Sequence, residues 1–237
     1  MKLDKSIIGM IHLSGTDPVD RALQEMRIYG ECGVDAVIVE NYHGSTEDVI
    51  ETLKLVRTKM DVGVNILPNE YKQAFEIADK YGCSFIQLDF ISGKYEKNQE
   101  IEQDYLKYRE KYPHIFVMGG VWPKYYLPVK GSNLQDDLHK AKSLCDAVVV
   151  TGAGTGKETP LDKIRFFRSA LGEFPLIIGA GVNADNIDQL NHADGAIVGS
   201  YFKPDGLTTN MVNRTLVNNL IKLRDNVKEQ KANEEGD

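Results

Sequence analysis

Eight short apolar runs punctuate the chain: "SIIGMIHL" (6–13), "DAVIVEN" (35–41), "VGVNIL" (62–67), "SFIQLDF" (84–90), "IFVMGG" (115–120), "DAVVVTG" (146–152), "PLIIGAG" (175–181) and "GAIVGS" (195–200). They are rich in Val and Ile and nearly continuous rather than alternating, the pattern of parallel strands covered on their outer face. Helix-length amphipathic segments lie between them. "PVDRALQEMRIYGECG" has apolar residues at Val19, Leu23, Met26 and Ile28. "TEDVIETLKLVRTK" opens on Thr46 with a capping-box-like signal in which Asp stands in for Glu. "NEYKQAFEIADKYG" closes on Gly82, a helix stop. Eight strands, each followed by a helix, predict a closed (β/α)8 TIM barrel. The even-numbered runs also begin alike ("GVDAVIVEN", "GCSFIQLDF", "CDAVVVTG", "ADGAIVGS"), which suits a barrel interior layered from alternate strands. An open doubly wound sheet is the alternative, but it does not call for eight units ending on a glycine-rich eighth.

No linker interrupts this rhythm, so residues 1–228 read as a single barrel domain. The charged stretch 229–237 reads as a tail that frays from the last helix. Hydrophobic residues at 42% and charged ones at 27% supply a globular core. The net charge of −7 disfavours a nucleic-acid backbone binder, although one local pocket can still hold a small anion. The first apolar run is too short for a signal peptide and is interrupted by His12. No run approaches membrane-spanning length, so the expectation is a soluble, cytoplasmic protein without membrane insertion. Cys32, Cys83 and Cys145 show no CxxC spacing and read as small buried residues. Barrels often pair, so a homo-oligomer is open.

Function in a barrel sits on the loops after the strand C-termini. The stretch 174–206 supplies the last two such loops, each starting on glycine. Gly179, Gly181, Gly199 and Ser200 can aim backbone amides at a phosphate, helped by a short helix beginning near Tyr201. Lys203 could add charge or be solvated. The loop "TGAGTGKETP" (151–160) is not a P-loop, since Glu158 follows Lys157 where Ser or Thr is required. It reads as an anion-friendly flap, with Thr151 and Gly152 against substrate and Lys157 either reaching in or solvated.

The other strand ends carry candidate acid–base chemistry. His12 ends the first strand, Glu40 the second and Asp89 the fourth, and these three are the catalytic candidates. Asn41 and Asn65 would orient substrate hydroxyls. The two carboxylates could alternatively hold Mg2+; no cofactor is otherwise called for. No nucleophile triad is visible. Lys124, past the fifth strand, leaves an opening for Schiff-base chemistry, and Trp122, Tyr125 and Tyr126 either line a pocket or cap the barrel. Of the remaining histidines only His43 falls on the functional side.

"IIGMIHLSG", "GVDAVIVENY", "GVNILPNEYKQAFEIADKYGCSFIQ", "VVVTGAGTG" and "HADGAIVGSYFKPDG" together resemble the BtpA family from about Ile7 to Gly206. The resemblance implies a ribulose-phosphate-binding type of barrel and no settled reaction, family labels running from photosystem biogenesis factor to sugar-phosphate isomerase or nucleosidase. The chain departs from the family in a short loop after the first strand ("SGTDP"), in "ISGKYEKNQEIEQ" after the fourth, and in Gly120 at a position usually acidic or amide. The combined expectation is an enzyme acting on a small phosphorylated metabolite, a sugar phosphate or nucleotide-like ester, by isomerase or lyase chemistry. Phosphoribosylanthranilate isomerisation is a special case, although one such isomerase type uses a cysteine near Met10 or His12. The alternative is a non-enzymatic assembly or regulatory protein that keeps a phosphate-ligand pocket.

Overall fold

The computed structural model describes residues 3–101 and 103–234. Eight parallel strands close into a barrel in chain order: β1 (Ser6–Ile11), β2 (Ala36–Glu40), β3 (Asp61–Asn65), β4 (Phe85–Ser92), β5 (Phe116–Val121), β6 (Ala147–Val150), β7 (Leu176–Ile178) and β8 (Gly195–Val198). The outer layer holds α1 (Pro18–Glu31), α2 (Thr46–Leu55), α3 (Tyr71–Tyr81), α4 (Tyr105–Lys111), α5 (Leu134–Ala141), α6 (Leu161–Leu171) and α7 (Arg214–Glu234).

Strand side chains alternate between two cores, as the two-residue period requires. Ile7, Val37, Val64, Ile86, Val148 and Ile178 face outward and join the apolar stripes of the helices. Ile8, Ile38, Phe85, Met118, Val149 and Ile177 fill the barrel itself. Both faces are buried, which is why the runs read as continuous rather than alternating. β3 contributes no side chain at the Phe85 level. A Cβ on Gly63 would lie 2.2 Å from the Phe85 ring, so the glycine makes room for that ring. Towards the C-terminal ends of the strands the interior changes character. His12, Glu40, Asn65 and Asp89 lie there from the first four strands, and Gly120, Thr151, Gly179 and Gly199 from the last four.

Local signals explain most helix boundaries. Gly82 ends α3 in the left-handed conformation, φ 70°. The capping box of α2 lies one residue earlier than the sequence suggested. Ser45 Oγ accepts from the Asp48 amide (3.1 Å) while Asp48 Oδ2 accepts from the Ser45 amide (2.8 Å). Thr46 is already the first helical residue and so cannot cap. β7 departs from the expected pattern, being followed by a 3-10 turn over Ile187–His192 rather than an α-helix. The preceding asparagines take backbone bonds for themselves: Asn186 Oδ1 accepts from Asn183 N, and Asn183 Oδ1 from Asp185 N, both at 2.8 Å. α7 is helical to Glu234, within the tail expected from 229, and the Glu, Gln, Lys and Ala residues there are good helix formers. Residues 235–237 of that expected tail lie outside the described residues. All three cysteines are buried and free. No helix among the described residues is long and apolar enough to cross a membrane.

Candidate functional site

A cavity of about 220 Å³ opens at the C-terminal ends of the strands. Its acidic wall comes from β1, β2 and β4. Glu40 is 7% exposed and accepts a hydrogen bond from Asn65 Nδ2 at 2.8 Å. Its carboxyl is raised from 4.5 to about 7, chiefly by burial and then by the Asp89 charge, against the opposing effects of Lys124 and the Asn65 bond. Asp89 is also raised, mainly by burial, against the Tyr126 hydroxyl that donates to its Oδ2 at 3.0 Å. His12 is 3% exposed, and its Nδ1 has no hydrogen-bond partner. Burial, followed by the charges of Lys203, His43, Lys124 and Arg21, pushes its pKa well below 6.5, so the ring is neutral near pH 7. A carboxyl titrating near neutrality beside a second carboxyl and a neutral imidazole is equipped to take and return protons.

The opposite wall is built from glycines, and each has an identifiable neighbour. Gly199 faces the His12 ring: a Cβ there would lie 2.6 Å from His12 Cε1. Gly120 faces the Asp89 backbone, where a Cβ would meet the carbonyl oxygen at 1.9 Å. The position that departs from the family pattern is thus one where this backbone admits only glycine. Gly181, at φ 78°, runs against the Lys157 carbonyl, and Gly156, at φ 70°, against Ser200 Oγ. The loop after β6 therefore folds over the loops after β7 and β8. The short helix expected near Tyr201 is a three-residue 3-10 turn, Ser200–Phe202.

Of the residues singled out from sequence, the cavity brings together His12, Glu40, Asp89, Thr151, Gly179, Gly181, Gly199 and Ser200. The others stand behind or beside it. Asn65 is fully buried beneath Glu40, with Nδ2 also 3.3 Å from Gln87 Oε1. Asn41 does not line the cavity: its Oδ1 accepts from Leu67 N at 2.8 Å and fastens the loop after β3. Gly152 packs against the Glu158 carbonyl, 2.4 Å from where its Cβ would be, and does not line the cavity. Lys157 is exposed outside the lining. Lys203 is neither solvated nor free to meet an anion. It is 2% exposed and donates to Glu25 Oε1 (3.0 Å) and the Asn210 carbonyl (3.2 Å). His43 is exposed and pairs with Thr208 at 2.9 Å. Trp122 bonds Asp137 Oδ2 at 2.8 Å outside the lining, Tyr125 lines the mouth, and Tyr126 acts through Asp89.

Sequence reasoning passed over Gln87, Thr155 and Tyr42, all of which line the cavity. Gln87 carried a usable signal, since it stands two residues before Asp89 on one strand and so faces the same way. Mg2+ finds no group of three His, Cys, Asp or Glu placed to hold a metal among the described residues.

Comparison with solved structures finds the same barrel fold in other proteins. Phosphoribosyl anthranilate isomerase from Thermus thermophilus superposes with a TM-score of 0.63 at 11% identity, covering 94% of this chain and 99% of that one. A 4-hydroxy-2-oxoglutarate aldolase/2-deydro-3-deoxyphosphogluconate aldolase superposes with a TM-score of 0.64 at 14% identity, covering 93% and 95%. In sequence, an uncharacterized protein of Archaeoglobus fulgidus is 31% identical, with 86% of this chain and 94% of that one covered. The photosystem I biogenesis protein BtpA of Synechocystis is 27% identical, with 84% and 81% covered. With the BtpA family model matching residues 3–226, nearly the whole barrel, the chain belongs to the BtpA family.

Proposed function

We propose that the chain is an enzyme that anchors a small phosphorylated metabolite, a sugar phosphate or nucleotide-like ester, and isomerises or cleaves it by proton transfer. The observation that carries this reading is Glu40, a buried carboxyl raised to about 7 at the floor of the cavity beside Asp89. Such a group removes a proton from a carbon next to a carbonyl and gives it back within one active site, without a large penalty in either direction. Asp89 and the neutral His12 ring serve the developing oxygen charge. The backbone at Gly181, Gly199 and Ser200 receives the phosphate, since the first amides of the Ser200–Phe202 3-10 turn have no partner within the turn; the Gly179 amide, expected to join them, is committed to the Val150 carbonyl at 2.7 Å. Phosphoribosylanthranilate isomerisation remains a special case of this chemistry, one that would run here with Met10 and His12 in place of a cysteine on β1.

The test is to incubate the protein in deuterium oxide with sugar phosphates and nucleotides and follow substrate protons by NMR. Exchange or conversion that disappears in Glu40→Gln is the expected result. Phosphate esters that bind but never exchange or convert would remove the enzymatic reading. They would leave a second one, a metabolite-sensing assembly factor, which the name of the Synechocystis relative, a photosystem I biogenesis protein, favours.

A further inference from the structure

A phosphate ester entering this cavity brings close to two negative charges, and Glu40 and Asp89 already line the wall. Backbone amides carry no net charge to balance them. The cation that sequence offered for this task, Lys203, is buried and paired with Glu25. Arg21 is committed to the same carboxylate at 3.2 Å, and the His12 ring is neutral. One lysine lines the cavity, Lys124, from the loop after β5. Its Nζ lies 3.0 Å from Thr155 Oγ1 and 5.9 Å from the centre of the Tyr125 ring. No ion pair joins it to a carboxylate among the described residues. It is a half-buried cation whose hydrogen-bond partner is a neutral hydroxyl.

The chain spends unusual backbone on holding it there. Trp122 and Tyr125, on either side of Lys124, both adopt positive φ (46° and 70°), a conformation bulky residues avoid unless their surroundings enforce it. The enforcement is visible. Trp122 N donates to the Tyr95 hydroxyl at 3.0 Å, and Lys124 N donates to Thr151 Oγ1 at 2.8 Å. Lys163 Nζ ties the two loops from behind, donating to the Trp122 carbonyl at 3.1 Å and the Thr151 carbonyl at 2.8 Å. Thr155 is fixed in turn, its amide donating to the Tyr125 hydroxyl at 2.9 Å. The next residue, Gly156, sits so close to Ser200 that a Cβ would lie 2.7 Å from Ser200 Oγ. Lys124 and Thr155 therefore adjoin the Gly199–Ser200 turn.

We propose that Lys124, with Thr155, is the charged half of the phosphate-recognition site, and that its ligand is a phosphate monoester dianion seated between this pair and the Gly199–Ser200 backbone. The inference rests on the proposed function and adds to it the residue that neutralises the anion. It makes Lys124 a binding residue, in place of the covalent role that a lysine on a barrel loop also suggests.

The test measures dissociation constants by calorimetry for ribose 5-phosphate, glycerol 3-phosphate, AMP and inorganic phosphate, against ribose, glycerol and adenosine. Wild type binds phosphorylated forms only; Lys124→Met weakens them at least tenfold, Lys124→Arg stays within a few-fold, and Thr155→Val weakens them by a smaller factor. Lys157→Met, an exposed lysine on the same flap, leaves them unchanged. Should Lys124→Met fail to fold, Lys124→Arg and Thr155→Val carry the comparison. Wild type binding phosphate esters that Lys124→Met and Thr155→Val bind equally well overturns this inference and leaves the proposed function standing. Wild type binding none of them overturns the proposed function itself. A mass gain at Lys124 after borohydride reduction with a keto-sugar phosphate assigns the amine to an imine and also overturns the binding role.

Discussion

The first four strands and the last four carry different residues at their C-terminal ends. β1–β4 deliver His12, Glu40, Asn65 and Asp89, whose side chains ionise or hydrogen-bond. β5–β8 deliver Gly120, Thr151, Gly179 and Gly199, where what matters is mostly the lack of a side chain. The acidic half is made reactive by burial, which lifts Glu40 toward neutrality and depresses His12. The glycine half is made close-fitting by sterics, since its Cβ positions are already occupied by neighbouring atoms. The halves are also interlocked: Gly199 leaves room for the His12 ring, and Gly120 for the Asp89 carbonyl. Gly199, which from sequence reads as a ligand cradle, is thus also the socket for the His12 ring, while Gly120 makes room for the Asp89 backbone.

The largest expected effect separates chemistry from packing. Glu40→Gln and Asp89→Asn should each lower turnover of a phosphate ester by about 100- to 10,000-fold while changing its binding little. A loss confined to affinity would move the chemistry out of the acidic half. The corresponding break on the other side is Gly120→Ala. Its Cβ meets backbone rather than a mobile side chain, so the destabilisation should reach or exceed about 3 kcal/mol, read from the denaturation midpoint. A variant as stable as wild type would mean that the Asp89 carbonyl is not held where we find it.

A pH series sharpens the comparison. The Glu40 carboxyl stands at about 7 in the fold against 4.5 as its ordinary value. Its preference for the neutral form therefore supports the fold fully below about pH 4.5, and that support is lost as pH rises through about 7. The amount is on the order of 3 kcal/mol. Relative to wild type, Glu40→Gln should gain stability over that window, and parallel curves would contradict the burial argument. The smallest effect tests the support of Asp89. Tyr126→Phe removes the hydroxyl bond and should cost about 1 kcal/mol. It should also move the Asp89 carboxyl further upward by carbon-13 titration, because that bond favours the charged form. An unmoved resonance would show that Tyr126 serves only its ring contacts.

Much of this arrangement was open to reading before any coordinates. The apolar runs marked the strands, and a period of two carried the interior face from Ile8 to Met10 to His12 and from Ile38 to Glu40. Asn65 was placed at the right level, but not its burial under Glu40, which depends on β2 and β3 pairing Glu40 with Asn65. Asn41 lies outside the cavity lining because the neighbour of an inward residue faces the other way, and its Oδ1 accepts from Leu67 N. Lys203 was misjudged because its partner Glu25 is 178 residues away in the chain.

Strand order, the layered interior and the two chemically distinct strand-end sets were determined by the sequence itself, because alternation along a strand is a local property. Tertiary structure alone decided which charges are spent and which are free. Lys203 disappears under Glu25 while Lys124 is lifted into the cavity by a strained loop, and Gly199 becomes a socket for His12. Those outcomes depend on desolvation and on contacts between distant segments, and neither exists until the barrel closes.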